Sequence, residues 1–223
     1  MNLKITKRIL TGALALTLAL APSVGALATT NSGGTGNGSV TGNTTGSVIT
    51  TAPAETVVEV FKNVKATSTV AGVKSTVAGA YLLEKGVAAA VTTPAATIAQ
   101  AFGLAAGETA YVKAFDMDVK KSNLAFASLE IAAKAFGGKN VAFIQMEFGK
   151  MSAKGEYSLL PAGPAIAATF SIPAEAQTAG ATYAVIRVVE GGSFALLKDT
   201  DNNPATVSFE TTGGAGAYAI VKF

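Results

Sequence analysis

The chain has 223 residues, 49% of them hydrophobic, with 17 basic and 14 acidic side chains and neither histidine nor cysteine. The missing imidazoles and thiols exclude His-based acid–base chemistry, thiol nucleophiles and most zinc or iron sites. The charge excess of +3 equals the contribution of Lys4, Lys7 and Arg8, so without those residues 14 basic and 14 acidic side chains cancel. No basic field is then left to attract nucleic acid or an anionic membrane.

Met1 to Ala28 has the three parts of a secretory signal peptide. Lys4, Lys7 and Arg8 form the basic start, Ile9 to Ala21 the apolar run, and Ala26-Leu27-Ala28 the small-residue cleavage site. The run is shorter than the roughly 20 apolar residues of a membrane-spanning helix, so no insertion is expected after cleavage. Thr29 to Ala54 is uncharged and dominated by Thr, Gly, Ser and Asn. Such a segment cannot bury a core and is expected to be a flexible tether. Asn37-Gly38-Ser39 and Asn43-Thr44-Thr45 match the N-glycosylation pattern, as chance allows in so biased a stretch.

Residues 55–154 are expected to form a strand-and-helix region. Val57, Val60, Phe61 and Val64 have helical spacing, but their β-branched content favours a strand. A short repeat follows, Ser68-Thr69-Val70-Ala71-Gly72 and Ser75-Thr76-Val77-Ala78-Gly79. Its period is too short for a solenoid, so it predicts two small strands or one kinked strand. Val77 to Leu83 and Val87 to Val91 are expected to pair as a hairpin closed at Lys85-Gly86. Thr93 and Pro94 open a helix that Gly103 closes. Tyr111 to Val119 is a predicted strand. Ser122 then caps a helix ending at Gly137-Gly138, with Ala125, Leu129, Ala132 and Phe136 as its buried stripe. Asn140 to Gly149 is a strand with Ala142, Ile144, Met146 and Phe148 inward.

Residues 155–223 are expected to be all strand. Tyr157 to Leu160 and Ala165 to Ile172 are strands that Pro161, Pro164 and Pro173 keep short or at an edge. Tyr183 to Val189 is apolar on both faces and therefore central. Gly191-Gly192 reverses the chain into Phe194 to Leu197. Asp199 to Pro204 is a polar turn, and Val207 and Phe209 mark a half-buried strand. Gly213, Gly214 and Gly216 make a turn before the last strand, Tyr218 to Phe223.

Several of these pieces carry a resemblance: Ser171-Ile172-Pro173, Tyr183-Ala184-Val185-Ile186-Arg187-Val188, the Gly191-Gly192 turn, Ala205 to Thr211, and Tyr218-Ala219-Ile220-Val221. Together, Ala165 to Phe223 resembles a C-terminal Ig-like β-sandwich module found in secreted and cell-surface proteins of Gram-positive, clostridia-like bacteria. That module often has Phe-Ser-x-Tyr before its last strand, where this chain has Gly213-Gly214-Ala215-Gly216-Ala217. The resemblance implies an envelope or adhesion role and no catalytic residues. The expected fold class is α+β, mainly antiparallel β with two short helices and an Ig-like C-terminal half. The pattern is compatible with two domains or with one shared core.

Three groups of side chains are candidates for chemistry. Asp116 and Asp118 alternate on a strand, about 7 Å apart by strand geometry. That separation falls in the range a pair of glycosidase carboxylates uses, roughly 6.5 to 9.5 Å for inversion. They are the candidates for a small-molecule or glycan site, or for a carboxylate-based hydrolase. The alternative is a solvated face, which alternation alone produces. Arg187 is the only arginine beyond the leader. On a buried strand it pairs with a carboxylate, snorkels, or recognises a ligand. Asp199, Asp201, Asn203 and Glu210 fall at positions 1, 3, 5 and 12 of an EF-hand loop, but Pro204 stands where that loop needs Gly. A looser calcium turn is one reading and an ordinary polar hairpin turn the other. The leading expectation is a secreted, non-catalytic module, with an envelope component, a host glycan or a host protein as partner.

Overall fold

A computed structural model describes residues 67–84 and 86–223. The leader, the tether with its glycosylation triplets, the Val57 to Val64 segment and Lys85 lie outside the described residues. The elements are β1 (Thr69–Val70), β2 (Val73–Lys74), β3 (Ala78–Leu82), β4 (Ala89–Val91), α1 (Ala95–Ala101), β5 (Thr109–Asp116), α2 (Asn123–Ala135), β6 (Lys139–Met151), β7 (Tyr157–Leu159), β8 (Ile166–Ser171), β9 (Tyr183–Val188), β10 (Phe194–Lys198), β11 (Thr206–Thr211) and β12 (Gly214–Lys222). The fold is α+β. A seven-stranded sheet runs β10-β9-β12-β6-β5-β3, with β7 also paired to β6, and a three-stranded sheet runs β11-β8-β4. All pairings are antiparallel except β3 with β5.

Two cores hold the layers together. One lies between the sheets and joins Val112, Ala114, Ile144, Met146 and Phe148 of the large sheet to Ile166, Phe170, Val207 and Phe209 of the small one. At its centre Phe170 and Phe209 sit 4.8 Å apart, with Tyr218 edge-on to Phe170 at 6.0 Å. Each such buried side chain contributes roughly 1.5–3 kcal/mol. The other core lies beneath α2, where Ala125, Leu129, Ala132 and Ala133 cover Ile186, Val188, Ala217, Ala219 and Val221. The large sheet is thus the middle of three layers. Its strands come from both halves of the chain, and β4 from the first half pairs with β8 from the second.

The period-two strands stand where the pattern puts them. Ile166, Ala168, Phe170 and Ile172 are buried, as are Ile144, Met146 and Phe148. Strand β9 is central, between β10 and β12, with Val185 in one core and Ile186 in the other.

Other expectations are corrected. No hairpin joins β3 to β4. β3 lies parallel to β5, where a side chain at Gly79 would run into the Val112 carbonyl, and β4 joins the other sheet. The two repeat copies diverge. The first makes the β1–β2 hairpin, turning at Ala71 (φ 42°) and Gly72 (φ 87°), and the second runs into β3. α1 starts one residue later than predicted, with Pro94 at the cap position and Thr93 Oγ1 accepting the Ala167 N–H at 2.7 Å instead. Ser122 holds the cap position of α2 without a side-chain cap bond. Ala133 completes the α2 stripe in place of Phe136, which packs edge-on against Phe194. β5 ends at Asp116, short of Val119. β8 is the middle strand of its sheet, not an edge. Gly214 and Gly216 lie inside β12 rather than in a turn. A Cβ at Gly216 would stand 2.9 Å from the Tyr218 ring and 3.0 Å from Arg187 Nε, so close approach explains that glycine.

Candidate functional site

Asp116 closes β5 and is half-buried. Its Oδ2 accepts the Glu84 N–H at 2.8 Å and ties the chain after β3 to the strand end. Asp118 lies beyond the strand and is exposed. Its Oδ1 accepts the Lys120 N–H at 3.0 Å, and Oδ2 is 3.6 Å from Lys121 Nζ. Because β5 stops between them, the two carboxylates are not a strand-alternation pair, and each shapes its own stretch of loop.

The Asp199 turn is a ladder of side-chain-to-backbone bonds two residues apart, the usual Asx-turn chemistry. Asp199 Oδ1 accepts the Asp201 and Ser208 N–H groups, Asp201 Oδ1 the Asn203 N–H at 2.7 Å, and Asn203 Oδ1 the Ala205 N–H at 3.0 Å. Asp201 Oδ2 also takes the hydroxyls of Ser208 and Thr206, and Ser208 links on to Thr169 of β8. Burial pushes the Asp199 carboxyl up from its ordinary value, and the Asp201 charge adds to this while the amide bonds oppose it. Oδ1 of Asp199, both carboxylate oxygens of Asp201 and Oδ1 of Asn203 already accept hydrogen bonds from the turn and from β11. Among the described residues, no three His, Cys, Asp or Glu side chains are grouped to hold a metal ion.

A third polar group was not singled out in the sequence. Lys113 of β5 and Glu147 of β6 are direct cross-strand partners, 3.6 Å apart and only 7% and 6% exposed. Tyr157 of β7 lies over them, its ring centroid 3.5 Å from Lys113 Nζ and its hydroxyl donating to Glu147 Oε2 at 3.5 Å. Gly149 makes this possible, since a side chain there would collide with the Tyr157 ring. Burial pushes the Lys113 ammonium below the usual lysine range, against the raising pull of Glu147. Burial also pushes the Tyr157 phenol well above its ordinary value, and the Glu147 charge adds to it. Alternation puts Glu147 opposite the inward Ile144, Met146 and Phe148, whereas Lys113 has the parity of Tyr111, Phe115 and Met117. The readable signal was the glycine inside β6, which marks a close approach.

Arg187 is half-buried on β9 and faces the small sheet's side. It makes no ion pair with a carboxylate among the described residues. Instead one terminal nitrogen donates to Thr212 Oγ1 at 2.8 Å and the other to the Gly213 carbonyl at 3.1 Å. Its Nε is buried without a partner, and the guanidinium sits 5.7 Å from the Tyr218 ring centroid. Arg187 lines a cavity of about 440 Å³, bounded by Val189, Ala195 and Leu197 on one side and by Ala165, Glu210 and Thr212 on the other.

No helix among the described residues is long and apolar enough to cross a membrane. Compared with protein-family models, curated proteins and solved structures, the chain finds no match.

Proposed function

We propose that this protein is a secreted, non-catalytic module that serves in structure or adhesion at the cell envelope. Its partner is an envelope component, or a glycan or protein of a host. The way the carboxylates are engaged carries this proposal. Asp116, Asp118, Asp199 and Asp201 all accept backbone N–H groups of nearby loops, and Glu147 is closed off with Lys113 beneath Tyr157. A general acid or base needs a carboxyl within hydrogen-bond reach of a substrate. Here the same atoms hold turns and strand ends in place. The leader-like start and the uncharged Thr/Gly/Ser/Asn stretch after it support export and tethering. The Ig-like reading of the C-terminal half belongs to the same proposal. It is supported by β8 and β11 lying in one sheet and β9, β10 and β12 in the sheet packed on it.

A panel of glycan, peptide and ester substrates tests the non-catalytic part. No turnover above buffer is expected from the purified chain. Turnover abolished by Asp116→Asn, Asp118→Asn or a single Ser replacement would overturn it.

A further inference from the structure

We propose that the outward face of α2 docks on an anionic lipid bilayer, with the helix lying flat at headgroup level and not crossing it. Nine of the thirteen residues of α2 are apolar, and they run all the way round the helix. A helix of that kind is one covered on both sides. Ala125, Leu129, Ala132 and Ala133 are buried against the sheet, and Phe126 packs on Phe143. Leu124, Ala127, Ile131 and Ala135 are left over, a stripe at helical spacing that faces solvent, with Leu124 53% and Ile131 66% exposed. Phe136 and Phe194, edge-on to each other at 5.9 Å and both exposed, extend it past the C-terminal end.

Charge decides what covers this stripe. Beyond the leader the chain is neutral, but its charges are not evenly placed. Lys120 and Lys121 precede α2, Lys134 is in its last turn and Lys139 follows it, all exposed. Lys222 lies opposite Lys139 on β12. The acids here are Asp118, Glu130 and, in the turn before Phe194, Glu190, so five lysines stand against three acids. Of these lysines only Lys121 has an ion-pair partner among the described residues, Asp118 at 3.6 Å. A second copy packed antiparallel by two-fold symmetry would set Lys120 and Lys121 over Lys134 and Lys139, like charge on like. An anionic bilayer meets the lysines at both ends with opposite charge. It also takes a convex ridge without a matching groove and receives the apolar side chains below its headgroups. This gives the envelope role above one specific surface and rests on that role only for bringing the chain to a membrane. Binding to purified vesicles can therefore fail while export holds, or hold while export fails.

The chain has no Trp, so Ala127→Trp in the full chain reports on the stripe alone, and a leader adsorbed by itself gives no signal. Titration is with vesicles of phosphatidylcholine, and of phosphatidylcholine mixed with phosphatidylglycerol. With the mixed vesicles the Trp emission is expected to shift to the blue and to be quenched by brominated acyl chains, less so as salt rises. Lys120→Gln with Lys134→Gln is expected to weaken binding roughly fivefold for each lysine. Ile131→Gln is expected to weaken it roughly tenfold through lost apolar burial. All three side chains are exposed, so these variants are expected to keep the urea unfolding curve of the parent. No blue shift with the mixed vesicles would overturn the proposal. So would an equal shift on phosphatidylcholine alone, or a shift that the lysine and Ile131 variants leave unchanged. A shift without lipid that grows with protein concentration, together with a dimer mass in sedimentation equilibrium, would assign the stripe to a second copy and overturn it as well.

Discussion

Replacing Glu147 by Gln is expected to cost about 3 kcal/mol of stability, because it breaks a buried ion pair from one side. At 3.6 Å the Lys113–Glu147 attraction is about 5 kcal/mol for an effective dielectric constant of about 20. The two side chains are 7% and 6% exposed, so most of that attraction offsets the desolvation of both ions rather than adding net stability. With a neutral amide at 147, the Lys113 charge stays buried beneath the Tyr157 ring while its carboxylate partner is gone. Replacing both residues, Lys113→Met with Glu147→Leu, removes both desolvation terms and is expected to stay within about 1 kcal/mol of wild type. Urea unfolding followed by circular dichroism and tyrosine fluorescence suits the assay, since the chain has no Trp. The single variant should melt roughly 6–12 °C lower, at about 2–4 °C per kcal/mol for a chain of this size. A Glu147→Gln protein within about 1 kcal/mol of wild type, or a double variant as unstable as the single one, would refute the buried-pair reasoning.

Burial raises the Tyr81 phenol from 10.0 to about 12, with the Ser75 hydrogen bond opposing. A raised folded value means stability fully present below pH 10 and lost between pH 10 and about 12, on the order of 2–3 kcal/mol. Tyr81→Phe should lack that loss, read as the difference between the two proteins' unfolding curves across this range; parallel curves would contradict it. Asp201→Ala removes acceptors for Asn203, Thr206 and Ser208 and should cost about 1–3 kcal/mol in urea unfolding. Millimolar calcium should leave the wild-type melting curve where chelator leaves it, and a rise that Asp201→Ala abolishes would establish a cation turn. Gly149→Ala should destabilise by about 1–3 kcal/mol through collision with the Tyr157 ring, and Tyr157→Ala in the same chain should relieve that part of the loss.

Periodicity made the strands legible wherever one face meets a core, as at Ile166 to Ile172 and at Val207 and Phe209. It could not reveal which strands pair. β3 and β4 are neighbours in sequence and were expected to form a hairpin, yet Gly79 allows β3 to press against Val112 while Ala89 and Val91 turn to the small sheet. The same limit hid β12 between β9 and β6, because those contacts are decided by segments far apart in the chain. Of the candidate residues, Asp199, Asp201 and Asn203 do act together, through backbone amides that their spacing alone places within reach. Asp116 and Asp118 are kept apart in role by the end of β5. Lys113 and Glu147 went unrecognised because alternation within one strand does not reveal which residue of the next strand lies opposite. Their burial is completed by Tyr157, which arrives on a separate strand.

Export to the envelope is tested most directly by fractionating a Gram-positive secretion host that expresses the full chain, followed by intact-mass measurement of each fraction. The expected result is a processed protein beginning at Thr29 in the envelope and extracellular fractions. Full-length protein confined to the cytosol, with Lys4, Lys7 and Arg8 still attached, would contradict it.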